Sequence, residues 1–237
     1  MSPIYLDYNA TTPIDPQVAE AMLPFIQQHF GNPSSSHAFG ATTKDAVEKA
    51  RRQVASTLRC RAEEVVFTSG GTESNNHAIK GVAGAHRSKG NHIITSAVEH
   101  PSVIEVCRYL EENGCRVTYL PVEGYGLVDP QDVEAAITPQ TVLVTIMQAN
   151  NEVGTVEPIA EIAKIAHSRG VLVHADCAQS IGKVRVHVDE LGVDLLTVAG
   201  HKLYAPKGIG ALYVRDGVRL EKLIHGANHE MDWRAGT

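Results

Sequence analysis

From Glu64 onward, short apolar runs alternate with helical patterns, and this alternation limits the fold more than any other feature of the chain. The runs VVFT, HIIT, CRVTYL, TVLVTIM, VLVHA, DLLTVA and GALYV start at Val65, His92, Cys115, Thr141, Val171, Asp194 and Gly210. Between them, helices are expected to open at Thr72, Ser102 and Pro130 and to run over 159–169. Strands separated by helices connect by right-handed crossovers, and the result is a largely parallel sheet with helices on both faces. An α/β fold is therefore expected. Ahead of it, helical patterns over 16–30 and 43–58 flank the loop GNPSSSHAFG and read as arm and cover rather than core.

Composition narrows the functional classes. The 237 residues carry a net charge of −6, and basic pairs such as Arg51-Arg52 stand isolated, so no electrostatic footprint for nucleic acid is expected. The apolar runs fall short of a membrane span, and MSPIYLDYN lacks the charged and apolar regions of a signal peptide, so a soluble cytoplasmic protein is expected. Cys60, Cys107, Cys115 and Cys177 form no CxxC pair, which argues against a disulfide framework or a structural zinc site. Cys177 reads as a small buried hydrophobe.

Ligands of open α/β sheets bind beyond the carboxyl ends of the strands. The unusual polar residues fall there five times, as SGGTES, AVEHPS, QANNEVG, ADCAQ and GHK. The last delivers Lys202 from an apolar strand onto a Gly- and Pro-rich loop, where desolvation can free its amine to attack a carbonyl. Taken singly it could be a surface lysine; four converging loops argue otherwise. Gly70-Gly71-Thr72 opens a helix and could cradle a phosphate, or be an ordinary turn and cap, and it matches neither the Walker nor the dinucleotide glycine pattern. Asp176 ends an apolar strand and needs a partner such as a protonated pyridine nitrogen. His100 offers a flat ring and a proton-transfer group. A metal reading built on His174, Asp176, His201, His225 and His229 leaves Lys202, the glycine turn and Asn151 without a purpose.

Taken together, YLDYNATTP, GNPSSSH, FTSGGTESNN, EHPSV, NNEVG, HADCAQ, GHKLYAPKGIGALYV and RAGT resemble the cysteine desulfurase family, fold-type I enzymes dependent on pyridoxal 5'-phosphate and related to the selenocysteine lyases. The resemblance runs from Tyr5 to Thr237. It implies an N-terminal arm over 1–15 and a cofactor-binding large domain over 16–237. It implies that Lys202 holds the cofactor covalently and moves protons, that His100 stacks on its ring and that Asp176 pairs with the pyridine nitrogen. Asn151 and Gln179 would surround the phenolic oxygen and the substrate, and Gly71, Thr72 and His201 would contact the phosphate. Thr237 would reach the phosphate of a neighbouring subunit, which implies a homodimer.

Two departures from the family pattern stand out. Ala199 replaces a usual serine and removes one phosphate donor, as in selenocysteine lyase-like members. The smaller domain, which carries the nucleophilic cysteine and an arginine for the substrate carboxylate, has no counterpart here. The implied activity is conversion of cysteine to alanine with the sulfur passed on as a persulfide to an acceptor or scaffold protein in iron–sulfur cluster biogenesis, inefficient in this chain unaided. Selenocysteine as substrate, or a non-catalytic isoform that pairs with a full-length subunit, are the alternatives.

Overall fold

The computed structural model describes residues 3–236, and all seven expected strands are present. They are β1 (Val65–Thr68), β2 (His92–Ser96), β3 (Arg116–Leu120), β4 (Thr141–Thr145), β5 (Leu172–Asp176), β6 (Leu195–Ala199) and β7 (Gly210–Val214). The helices are α1 (Pro16–Gln27), α2 (Ala38–Leu58), α3 (Gly71–Ala85), α4 (Pro101–Glu112), α5 (Pro130–Ala136), α6 (Ile159–Ser168) and α7 (Val188–Leu191). One sheet of order β1-β7-β6-β5-β4-β2-β3 joins the strands, with β7 antiparallel to both neighbours and the other pairs parallel. β7 can run backwards because it follows β6 through a loop, whereas each parallel neighbour needs a crossover.

Why the strands are apolar throughout is visible in the packing. Successive side chains of a strand point to opposite faces. Ile93, Leu143, Leu195 and Leu212 accordingly pack with Ile79 and Val82 of α3 and Val103 and Val106 of α4. Their neighbours Ile94, Val144, Leu196 and Tyr213 pack on the other face with Ile159 and Ile162 of α6 and Val133 of α5. The core is thus two apolar layers separated by the sheet.

The N-terminal helices depart from the sequence expectation. α1 buries none of its residues, as a cover should, but α2 sends Ala55 and Leu58 into the core. α2 also begins five residues early, inside the segment read as loop. Gly40 is the reason. A Cβ there would lie 2.3 Å from the Ser35 carbonyl oxygen and 2.7 Å from that of Asn32, so the glycine that looks like a loop marker instead lets the preceding loop press onto the first helical turn. His37 caps that turn by accepting from the Gly40 N–H at 3.4 Å. No helix among the described residues is long and apolar enough to cross a membrane.

Candidate active site

The parallel strands bring their carboxyl ends to one edge, and a cavity of about 510 Å³ opens there. Gly71, Thr72, His100, Asn151, Asp176, Gln179, His201 and Lys202, contributed by the ends of five strands, all line it. Thr237 lies outside the described residues. Asp7, Asn9, Asn75, Ser102 and Met147 also line the cavity and were not singled out from the sequence.

The α3 N-terminus forms one wall. Its N-cap, Gly70, has φ 153°, a conformation L side chains rarely adopt, and no side chain caps the first turn. The orphan N–H groups and the positive end of the helix dipole are therefore open to an anion. Glu73, in the same turn, is occupied elsewhere: Arg234 donates to both its carboxylate oxygens at 2.8 and 3.2 Å, and the Ser69 N–H donates at 2.8 Å. Ala199, packed against Gly71, brings no hydroxyl to this wall.

Beside α3, Asp176 ends β5, lines the cavity and is 5% exposed. Neutral donors hold it: Asn75 Nδ2 donates to Oδ2 at 2.7 Å and the Ala178 N–H donates to Oδ1 at 2.9 Å. Asn75 Nδ2 also donates to Ser102 Oγ at 2.8 Å, and Ser102 Oγ lies 2.8 Å from His100 Nδ1. His100 is the N-cap of α4 and accepts through the same nitrogen from the Ser102 N–H at 3.1 Å. Burial lowers the His100 pKa, against the pull of Asp176.

Lys202 leaves β6 on a single 3-10 turn and is half-buried at the cavity floor. Desolvation lowers its pKa, nearby Asp176 opposes the shift and Lys183 adds to it. A lysine placed in this way gives up its proton more readily than one in water. The N-terminal arm is stitched over this loop. Thr12 donates from its N–H and its hydroxyl to the His201 carbonyl at 3.0 and 2.9 Å, and accepts from the Tyr204 N–H at 2.9 Å. Gln179 ties in from the turn after β5, donating from Nε2 to the Asn9 carbonyl at 2.9 Å while Oε1 accepts from Lys183 at 2.7 Å. Asn9 in turn donates to the Asn151 carbonyl at 3.2 Å.

Two groups lie apart from this chemistry. His174 spends its ring nitrogens on the hydroxyls of Thr145 and Thr197, at 2.8 and 3.0 Å, a clamp across β4, β5 and β6. None of the four cysteines lines the cavity, and burial raises the pKa of each. Cys177 is fully buried, in keeping with a packing role.

Asn75 and Ser102 had a sequence signal. Asn75 follows Thr72 by three positions, which places both on one side of a helix, and Ser102 follows an N-cap by two. The arm residues stand in YLDYNATTP, one of the motifs of the family resemblance, but nothing local places them at the cavity, because their place depends on a contact some 190 residues distant in sequence.

Comparison with known proteins gives the same architecture. The chain is 54% identical to the cysteine desulfurase IscS of Dictyoglomus turgidum over 234 residues, 99% of its own length, and 51% identical to that of Rickettsia bellii over 238 residues. It spans 59% and 58% of the length of those two relatives. Among solved structures, SspA in complex with cysteine superposes with a TM-score of 0.97 at 45% identity, covering 99% of this chain and 68% of that one. A NifS-like protein gives 0.97 at 40% identity, covering 100% of this chain and 65% of the other. Residues 4–233 match the aminotransferase class-V family, to which the chain therefore belongs.

Proposed function

We propose that this chain forms the pyridoxal-phosphate-binding part of a cysteine desulfurase. The carrying observation is a half-buried lysine at the floor of a cavity with an uncapped helix N-terminus on one wall and a buried carboxylate on another. That set fits the group: a phosphate for the α3 N-terminus, a protonated pyridine for Asp176 and a carbonyl for the Lys202 amine. When bound, pyridoxal phosphate supplies an aldehyde and an electron-withdrawing ring that stabilises negative charge at the substrate Cα.

The chain's own residues would do the rest. Lys202, whose desolvation makes its amine easier to deprotonate, would hold the cofactor and afterwards move protons at Nζ. Asp176, fixed by Asn75 and Ala178, keeps negative charge facing the ring. His100 covers the ring, and Gln179 and Asn151 orient the phenolic oxygen and the amino acid. In the complete reaction the C–S bond of cysteine breaks, its sulfur passes to a thiolate as a persulfide, and the residual carbon skeleton takes up a proton as alanine. No cysteine of this chain lines the cavity, so the accepting thiolate belongs to another segment or another protein. Thr237 from a second copy completes the phosphate contacts on this reading.

Mixing the protein with pyridoxal phosphate should produce a visible absorption band that borohydride removes, leaving covalent label on Lys202. Lys202→Ala should abolish the labelling. A colourless wild-type protein, or label on a different lysine, would overturn the assignment, and a strictly monomeric loaded protein would overturn the role of Thr237.

A further inference from the structure

The network under His100 has a fixed polarity. Ionised Asp176 only accepts, so the Asn75 amide must present Nδ2 to it, at 2.7 Å. The second hydrogen of Nδ2 goes to Ser102 Oγ at 2.8 Å. The Ser102 hydroxyl, which still has its own hydrogen to give, lies 2.8 Å from His100 Nδ1. The Ser102 backbone N–H, which can only donate, points at the same nitrogen at 3.1 Å. Nδ1 is thus an acceptor, and the proton of the neutral ring is on Nε2, which has no protein partner among the described residues. The arrangement carries a cost: Asn75 Oδ1 is buried without a partner. Reversing the amide would put that oxygen against the Asp176 carboxylate, so the orphan marks an orientation imposed by Asp176.

We infer that Asn75 and Ser102 are positioning residues that lock His100 in the Nε2–H tautomer and present that N–H to the cavity. Protonating Nδ1 would set a new N–H against the Ser102 N–H and remove the hydroxyl's acceptor. The relay therefore also resists formation of the imidazolium. The remaining titratable and charged groups facing His100 are Asp176 from β5, whose charge favours the imidazolium, and Lys202 and His201 from the β6 loop, whose positive charges oppose it. The tautomer is a property of the protein without any ligand, so it stands or falls separately from the cofactor assignment.

Ring-nitrogen NMR of the 15N-histidine-labelled, cofactor-free protein tests this. Wild type should show His100 Nδ1 as a bare acceptor and Nε2 as protonated. Ser102→Ala and Asn75→Ala should raise its titration midpoint by about 0.7 pH unit, the equivalent of one neutral hydrogen bond. Ser102→Thr, which keeps the hydroxyl, should restore the wild-type midpoint. A wild-type ring protonated on Nδ1 overturns the inference whether or not any variant folds, and unchanged midpoints in both alanine variants overturn the relay.

Discussion

Glu99, the residue before His100, shows how a side chain near the cavity can matter without lining it. Burial lifts its pKa to about 8 from an ordinary 4.5, with the charges of Asp176 and Glu157 adding to the shift. The Ser96 hydroxyl at 2.6 Å and the Met147 N–H at 2.9 Å oppose it. Because the folded pKa lies above the unfolded one, the folded state holds this proton more tightly. The stabilisation is complete below about pH 4.5 and is lost as pH rises towards 8. Glu99→Gln retains an acceptor for both donors and cannot ionise. Its thermal midpoint should stay near that of wild type at pH 5 and exceed it by a few degrees at pH 8.5, at roughly 2–4 °C per kcal/mol. Melting curves at the two pH values decide the matter, and an equal offset at both would rule Glu99 out as the source.

At the scale of elements, the arm and the Lys202 loop behave as one unit. Thr12 is 3% exposed, and its hydroxyl both donates to the His201 carbonyl and accepts from the Tyr204 N–H. Thr12→Val removes both bonds and leaves a backbone N–H without its acceptor, at a cost of roughly 1–3 kcal/mol. The loop between β6 and β7 should then be cleaved faster in limited proteolysis, while the distant turn after β3 keeps its wild-type rate; uniform acceleration would signal a global defect instead. The elements themselves were largely legible from sequence, because near-continuous apolar runs of five or so residues between helical patterns have few other uses. What was not legible is instructive. The reversal of β7 leaves no trace in GALYV, since an apolar strand covered on both faces reads the same in either direction. α2 was cut short because Gly40 signals a loop by propensity, whereas its role here is tight contact.

For the whole molecule, the site was readable where chemistry sits at strand ends and unreadable where it depends on long-range pairing. Lys202, Asp176 and His100 each follow an apolar run, so topology brings them together; Asp7, Asn9 and Thr12 reach the same place from a segment with no such marker. A second long-range tie holds the far side of the sheet. Arg51, 4% exposed, donates to both carboxylate oxygens of Glu230 at 2.6 and 2.8 Å, and Glu230 also accepts from the Phe67 N–H of β1. Glu230→Ala removes two charge-assisted bonds from the buried guanidinium and the acceptor of the Phe67 N–H, leaving Arg51 with Glu48 at 3.1 Å, a loss on the order of 3 kcal/mol. Its thermal midpoint should fall by roughly 6–12 °C, and Arg51→Met combined with it should recover part of that fall. A single variant that melts with wild type would show that the pair contributes nothing to stability.

β1 pairs with β7 alone, from Val65 with Tyr213 to Thr68 with Gly210, and this has a consequence for how the protein is made. On the ribosome the first strand of the sheet emerges long before its sole neighbour. At roughly 5–20 residues per second, β1 waits about 7–30 s for that neighbour. Through that interval the anion-facing turn of α3 hangs from an unpaired strand. The α3 wall of the cavity should therefore settle into place only after translation has passed β7.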